Sequence, residues 1–279
     1  MIVDAHHHVW SLARGDYGWL TPALAPIHRD FDLDDYARVA PPGMVSVLVQ
    51  AAPTVAETQF LLDAARRSGG RARAVVGWVD LDADDAVDML ATLASDPLLR
   101  SVRPMLQDLA DPEWILRPRV QSALAALPQL GLRFDALVKP PQLPALLKML
   151  ERNPALRVVI DHGAKPRIAE REWQPWADAI RQASTSPNVF CKLSGLATEA
   201  APEWTSETLR PYVDHLFDCF GAGRVMWGSD WPVVELNGGF ARWQRATDAL
   251  LATRDAATRN AVRGGNARRF YDLARDVAQ

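Results

Sequence analysis

Three consecutive histidines, His6, His7 and His8, stand at the end of an apolar, strand-like segment that begins almost at the initiator methionine. Side chains alternate along an extended strand, so His6 and His8 project to one side and His7 to the other. Two convergent imidazoles suit a metal ion. They suit equally well the polarisation of a carbonyl and the relay of protons, because histidine titrates near neutral pH. A second stretch, Gly228-Ser229-Asp230-Trp231-Pro232, stops a strand-like run at a glycine and puts a carboxylate just beyond it. No helical periodicity follows at once, so Asp230 reads as a catalytic carboxylate rather than a helix cap. A third run ends in Asp161-His162. Adjacent strand residues face opposite ways, which allows only one of these two inward, and His162 is the expected one. His6, His8, His162 and Asp230 would together form the acid, base and electrophile set of a hydrolytic site.

Such groups act only if a frame brings them together. The chain has 279 residues, 48% of them hydrophobic, enough for residues 1–279 to form a single α/β barrel domain. Strand-like runs at 44–50, 74–79, 101–106, 132–138, 157–162, 188–193 and 224–228 follow the first one. Helical apolar spacing follows each of them, ending in segments at 240–251 and from 255 to the C-terminus. Pro104 weakens the run at 101–106, since proline cannot donate to a ladder. Thr54 and Glu57 have the spacing of a capping box before the second helix. Eight strand–helix repeats predict a (β/α)8 TIM-type barrel, whose active site lies at the carboxyl ends of the strands.

Other polar residues near those ends are candidates for holding a substrate. Arg103, Gln107 and Lys192 could bind hydroxyl or carboxylate groups, and Trp19, Trp78 and Trp231 could pack against a ring face. The net charge of −3, without a basic stripe, argues against nucleic acid as a partner. No signal-peptide pattern or membrane-spanning apolar run is visible, so a soluble, cytoplasmic protein is expected. Cys191 and Cys219 are too far apart in sequence for a close-spaced thiolate pair, which predicts reduced thiols and neither a disulfide framework nor a thiolate metal site.

Several motifs carry a family resemblance. They are Asp4-Ala5-His6-His7-His8-Val9-Trp10, Arg14-Gly15-Asp16-Tyr17-Gly18-Trp19-Leu20, Val159-Ile160-Asp161-His162-Gly163-Ala164-Lys165-Pro166, Cys191-Lys192-Leu193-Ser194-Gly195-Leu196 and Gly228-Ser229-Asp230-Trp231-Pro232. The chain resembles the amidohydrolase superfamily over nearly its whole length, and within it the sugar lactonases of the L-fuconolactonase and L-rhamnonolactonase type. 2-Pyrone-4,6-dicarboxylate lactonases are more distant. The resemblance implies the barrel, hydrolysis of a lactone ester, and functional roles for His6, His8, His162 and Asp230. It also implies that Arg14–Leu20 forms a substrate-side loop.

Many metal-dependent members of the superfamily bring a lysine or histidine ligand from strand four or five, whereas strand five here offers Asp135. Either no cofactor or a single divalent ion, zinc before others, is therefore expected, the ion being held by His6, His8 and Asp230. In the expected mechanism Asp230 takes a proton from the water that attacks the carbonyl, and the histidines stabilise the oxyanion. Asp230 or His162 then protonates the leaving oxygen. The small-molecule substrate would be a sugar aldonolactone. A metal-dependent amidohydrolase or decarboxylase of another small acid is the alternative, and a non-catalytic sugar-acid binding barrel a further one.

Overall fold

The computed structural model describes residues 1–273, so the end of the expected C-terminal helical segment lies outside the described residues. Eight parallel strands form one sheet in sequence order: β1 (Val3–His7), β2 (Val45–Val49), β3 (Ala72–Gly77), β4 (Leu99–Val102), β5 (Arg133–Ala136), β6 (Val158–Ile160), β7 (Val189–Leu193) and β8 (Val225–Trp227). The helices are α1 (Leu33–Val39), α2 (Val55–Arg67), α3 (Ala86–Ala94), α4 (Pro118–Ala126), α5 (Leu143–Arg152), α6 (Trp176–Ala183), α7 (Ser206–Phe220), α8 (Gly239–Leu251), α9 (Ala256–Asn260) and α10 (Asn266–Tyr271). The architecture is the expected (β/α)8 barrel. The fourth strand lies earlier than its predicted span: it ends at Val102, which leaves Pro104 outside the ladder where its missing N–H costs nothing. Arg103 still donates its backbone N–H to the Gly77 carbonyl, at 2.8 Å, and so begins the loop directly over the barrel mouth.

The barrel interior has two levels. Val3, Ala5, Val45, Val47, Val49, Ala74, Val76, Val159, Phe190 and Met226 pack together, and Ala267, Phe270, Tyr271 and Leu273 close this apolar half from the C-terminal segment. Polar side chains occupy the other half. On β1 the change of level coincides with a bulge: Asp4 pairs with Ser46 but His7 with Leu48, three residues against two. The extra residue lets Ala5 share the apolar cluster while His6 and His8 also face the interior. Asp4 Oδ1 takes the His6 backbone N–H at 3.1 Å and the Ser229 N–H at 2.8 Å, which ties the bulge to the loop after β8.

Closure between β8 and β1 runs through that loop. Asp230 N donates to the His6 carbonyl at 2.8 Å, and His8 N donates to the Trp231 carbonyl at 2.7 Å. The backbone bonds that shut the barrel thus set Asp230 opposite the two inward histidines. Gly228 permits the approach, since a Cβ there would lie 2.7 Å from His6 Cβ. Among the described residues no helix is long and apolar enough to cross a membrane. Cys191 is buried and Cys219 half-buried, and both are free thiols.

Candidate active site

His6, His8, His162 and Asp230 come together at the carboxyl ends of β1, β6 and β8. His6 Nε2 and His8 Nε2 are 3.2 Å apart. Asp230 Oδ1 lies 3.5 Å from His8 Nε2, 3.6 Å from His6 Nε2 and 3.8 Å from His162 Nε2. His7 points the other way, stacked on Tyr36 at 4.0 Å between ring centroids and bonded through Nε2 to Ser46 Oγ at 2.8 Å. Burial pushes its pKa down to about 3, so it is a neutral packing residue.

Each member of the set is held from behind. His8 Nδ1 donates to the Val49 carbonyl at 2.8 Å, which leaves its Nε2 bare toward the site. His162 Nδ1 bonds Ser194 Oγ at 2.8 Å. Asp230 has a left-handed backbone, φ +57, and its side chain caps no helix: the short helical turn that follows, Val233–Asn237, has Pro232 at its N-cap.

Asp161 and His162 correct the expectation that only one of them faces inward. β6 ends at Ile160, and the chain then turns left-handed, with φ +54 at His162 and +59 at Gly163, so strand alternation no longer applies. Asp161 points to the barrel axis, where Arg103 Nη1 donates to Oδ2 at 3.3 Å and Lys192 Nζ lies 2.9 Å from Oδ1.

A cavity of about 300 Å³ opens above these groups. Arg103, Gln107 and Trp19 line it with His8, His162 and Asp230. Asp108 and Lys165, not singled out from the sequence, add polar groups, and Leu24 and Leu236 give it an apolar side. Their placement depends on loop paths that leave no periodic trace, so no pattern in the sequence marks them.

Three of the expected substrate contacts fall elsewhere. Lys192 is wholly buried beneath the histidines, because β7 alternation turns it into the barrel and its ammonium is drawn to two carboxylates. Trp231 is buried among Phe31 and Tyr36, at 5.1 and 5.5 Å between ring centroids, because its backbone is consumed in barrel closure. Trp78 is half-buried and does not line the cavity.

Burial lowers the pKa of His6, His8 and His162, the last to about 4, so all three are neutral at pH 7. Burial alone would raise Asp230, but His162, His8 and His6 around it outweigh that and hold its carboxyl below the usual range. Asp161 behaves alike: burial is outweighed chiefly by Lys192 and then by His6. An ionised carboxylate among neutral imidazoles is the protonation state of a general base, and also of a ligand set.

Neighbouring donors on tetrahedral zinc, with bonds of about 2.0–2.1 Å, stand roughly 3.3 Å apart. The His6, His8 and Asp230 atoms, at 3.2 to 3.6 Å, fit one such ion. His6, Asp161 and His162 form another close group, but Asp161 is already neutralised by Lys192 and Arg103. The donor set favours one ion over two.

Glu57 supports the site from outside the barrel. Thr54 Oγ1 takes the Glu57 N–H at 3.1 Å, but only this half of the capping box forms. The Glu57 carboxylate instead accepts the Ala51 and Ala52 N–H groups, at 2.9 and 2.6 Å. That clamp holds the turn whose Gln50 carbonyl accepts from Arg103 and whose Ala51 carbonyl accepts Trp19 Nε1 at 2.7 Å.

Burial raises the Glu57 carboxyl from 4.5 to about 7, against the pull of the two amides. A raised folded-state pKa favours folding fully below the unfolded value and loses that contribution as pH rises through the folded one. The wild type should therefore lose about 3 kcal/mol relative to Glu57→Gln between pH 4.5 and pH 7. Denaturant titrations of both proteins at the two pH values check this, and parallel stability profiles would refute it.

The profile of the amidohydrolase family matches residues 3–273. An L-fucono-1,5-lactonase of Burkholderia ambifaria is 45% identical over 282 residues, covering 98% of this chain and 96% of that protein. An L-fucono-1,5-lactonase of Burkholderia multivorans is 34% identical, over 97% and 96%. A crystal structure of a Burkholderia multivorans amidohydrolase with bound zinc superposes with a TM-score of 0.90 at 33% identity, covering 98% of this chain and all of that one.

Proposed function

The chain belongs to the amidohydrolase family, and from that premise we propose that it hydrolyses a sugar aldonolactone to the open hydroxy acid, its 279 residues acting as one barrel domain. The observation that carries this reading is the Asp230 carboxylate, which lines a cavity of about 300 Å³ together with His8 and His162 and has the Nε2 atoms of these two and of the buried His6 at 3.5 to 3.8 Å. Similarity to L-fucono-1,5-lactonases, 45% and 34% identical, supports a lactone as the substrate.

Asp230 accepts a proton from water as the water adds to the lactone carbonyl. The oxyanion that develops is met by donors on the same floor. Arg103 Nη1, 3.4 Å from His6 Nε2, shares that side of the site with the imidazole. As the tetrahedral intermediate collapses, the ring C–O bond breaks, and the proton held by Asp230 returns to the leaving alkoxide directly or through His162. A lactone asks less of the site than an amide, because an alkoxide leaves more readily than an amide nitrogen. Gln107, Asp108 and Lys165 face the ring hydroxyls, and Trp19 lies against an apolar ring face. The cofactor, where one is used, is a single divalent ion on His6, His8 and Asp230. Zinc bound there supplies a Lewis acid for the carbonyl and a more acidic water.

Proton release in weakly buffered indicator solution measures turnover across a panel of aldonolactones, L-fucono-1,5-lactone first, with chelator and with added zinc. Hydrolysis of at least one member well above its spontaneous rate is expected. Spontaneous rates across the whole panel, from a folded sample in both conditions, would overturn the proposal.

A further inference from the structure

Glu57 is the third residue of α2 and is wholly buried. A carboxylate at that position ordinarily turns back to the N-cap amide. Here the Thr54 N–H is taken by the Ala52 carbonyl at 2.9 Å, and the Glu57 side chain reaches past it to the end of β2. Oε2 accepts the Ala52 N–H at 2.6 Å, and both oxygens accept the Ala51 N–H at 2.9 Å. These two amides belong to successive peptide units, Gln50–Ala51 and Ala51–Ala52. Both units are trans. A trans peptide is planar, with its N–H and C=O pointing in opposite directions, so holding one end aims the other.

The two carbonyl ends reach residues of the cavity wall. The Gln50 carbonyl accepts from Arg103, but its direction has other supports: the Gln50 N–H donates to the Val76 carbonyl at 2.9 Å, and the Gln50 Nε2 donates to the Arg103 carbonyl at 2.6 Å. In the Ala51–Ala52 unit Glu57 holds the amide end, and the carbonyl end accepts Trp19 Nε1–H at 2.7 Å. Trp19 is half-buried, stands edge-on to Trp10 at 5.6 Å between ring centroids, and lines the cavity.

We propose that Glu57 is a positioning residue acting through Trp19: it fixes the Ala51–Ala52 peptide plane, whose carbonyl sets the indole at the cavity wall against the substrate. The contact with substrate rests on the lactone reading above, whereas the clamp does not. A ring held in place before binding spares the ligand the cost of ordering it, so a residue outside the barrel controls affinity rather than chemistry.

Nitrogen NMR of the full chain labelled at tryptophan follows the Trp19 indole N–H, assigned by its loss in Trp19→Phe. The buried Trp243 indole, which donates to the Gly228 carbonyl at 2.9 Å, is the internal control. Glu57→Met keeps the length and removes both acceptors, so the Trp19 signal should move toward that of a free indole while Trp243 stays. Glu57→Gln keeps one oxygen, which can take both amides as Oε2 does, and should leave both signals in place. On the best lactone, KM should rise about 10-fold in Glu57→Met and in Trp19→Phe, with kcat within about 3-fold, and Glu57→Gln should restore KM to within about 3-fold of wild type. The double variant Glu57→Met with Trp19→Phe should bind no worse than the poorer single one, because both remove the same bond. Glu57→Asp, which keeps the charge but falls short by one methylene, gives the same reading if Glu57→Met does not fold.

A Trp19 signal that stays in place when the clamp is removed overturns the proposal, even in a destabilised protein. So do a lowered kcat with unchanged KM, and additive effects of the two single variants. Absent turnover with the expected signals would sink lactone hydrolysis and leave the clamp on Trp19 standing.

Discussion

Asp230→Asn is expected to lower turnover by at least about 100-fold, and by up to about 10,000-fold, with KM and fold nearly unchanged. The amide matches the carboxylate in shape but cannot accept a proton at neutral pH. Asparagine is also among the few residues that tolerate the left-handed backbone found there, φ +57, so the loop that closes the barrel should keep its path. Steady-state kinetics and a melting curve on one sample separate catalysis from support. A capping residue would lose about 1 kcal/mol of stability and little rate. Near-normal turnover in a destabilised protein would remove Asp230 as the base and the mechanism with it.

Gly195→Ala should produce the second large effect. Gly195 has φ +63, and an added Cβ would fall 2.5 Å from both Cγ and Nδ1 of His162. The ring must move, and its bond to Ser194 with it. A displacement of about 1 Å in a catalytic group can cost on the order of 100-fold in rate. The left-handed backbone adds roughly 1–3 kcal/mol of instability. Gly69, between α2 and β3, with φ +62 and open space around its would-be Cβ, is the control: Gly69→Ala adds a side chain at positive φ without touching His162. The prediction is a similar drop in melting temperature for both, with turnover lost only in Gly195→Ala. Equal activity in the two variants would show that the position of His162 does not matter to the reaction.

The barrel was legible because its signals are local. β-Branched runs such as Val45–Val49, helical apolar spacing such as Leu143, Leu146, Leu147 and Leu150, and glycine stops such as Gly221 each act within a few residues. The divergence of His6 and His8 from His7 follows from strand alternation and holds. Strand ends were less legible. Pro104 falls beyond β4, and at 161–163 a left-handed turn replaces the expected strand, so Asp161 and His162 both enter the site.

By itself the sequence determined the element order, the inward histidine pair and a carboxylate just past the last strand, since each depends on residues close together along the chain. Only the tertiary structure decided what those groups meet. It turned Lys192 from a substrate contact into a buried counter-ion of Asp135 and Asp161, sent Trp231 into the packing behind the barrel closure, and made Glu57 a clamp on the β2 end. Such assignments depend on pairs far apart in the sequence, Lys192 with His6 or Asp4 with Ser229. Burial removes water as the competing partner, so each charged or polar group must be satisfied by whichever neighbour the closed barrel brings within reach.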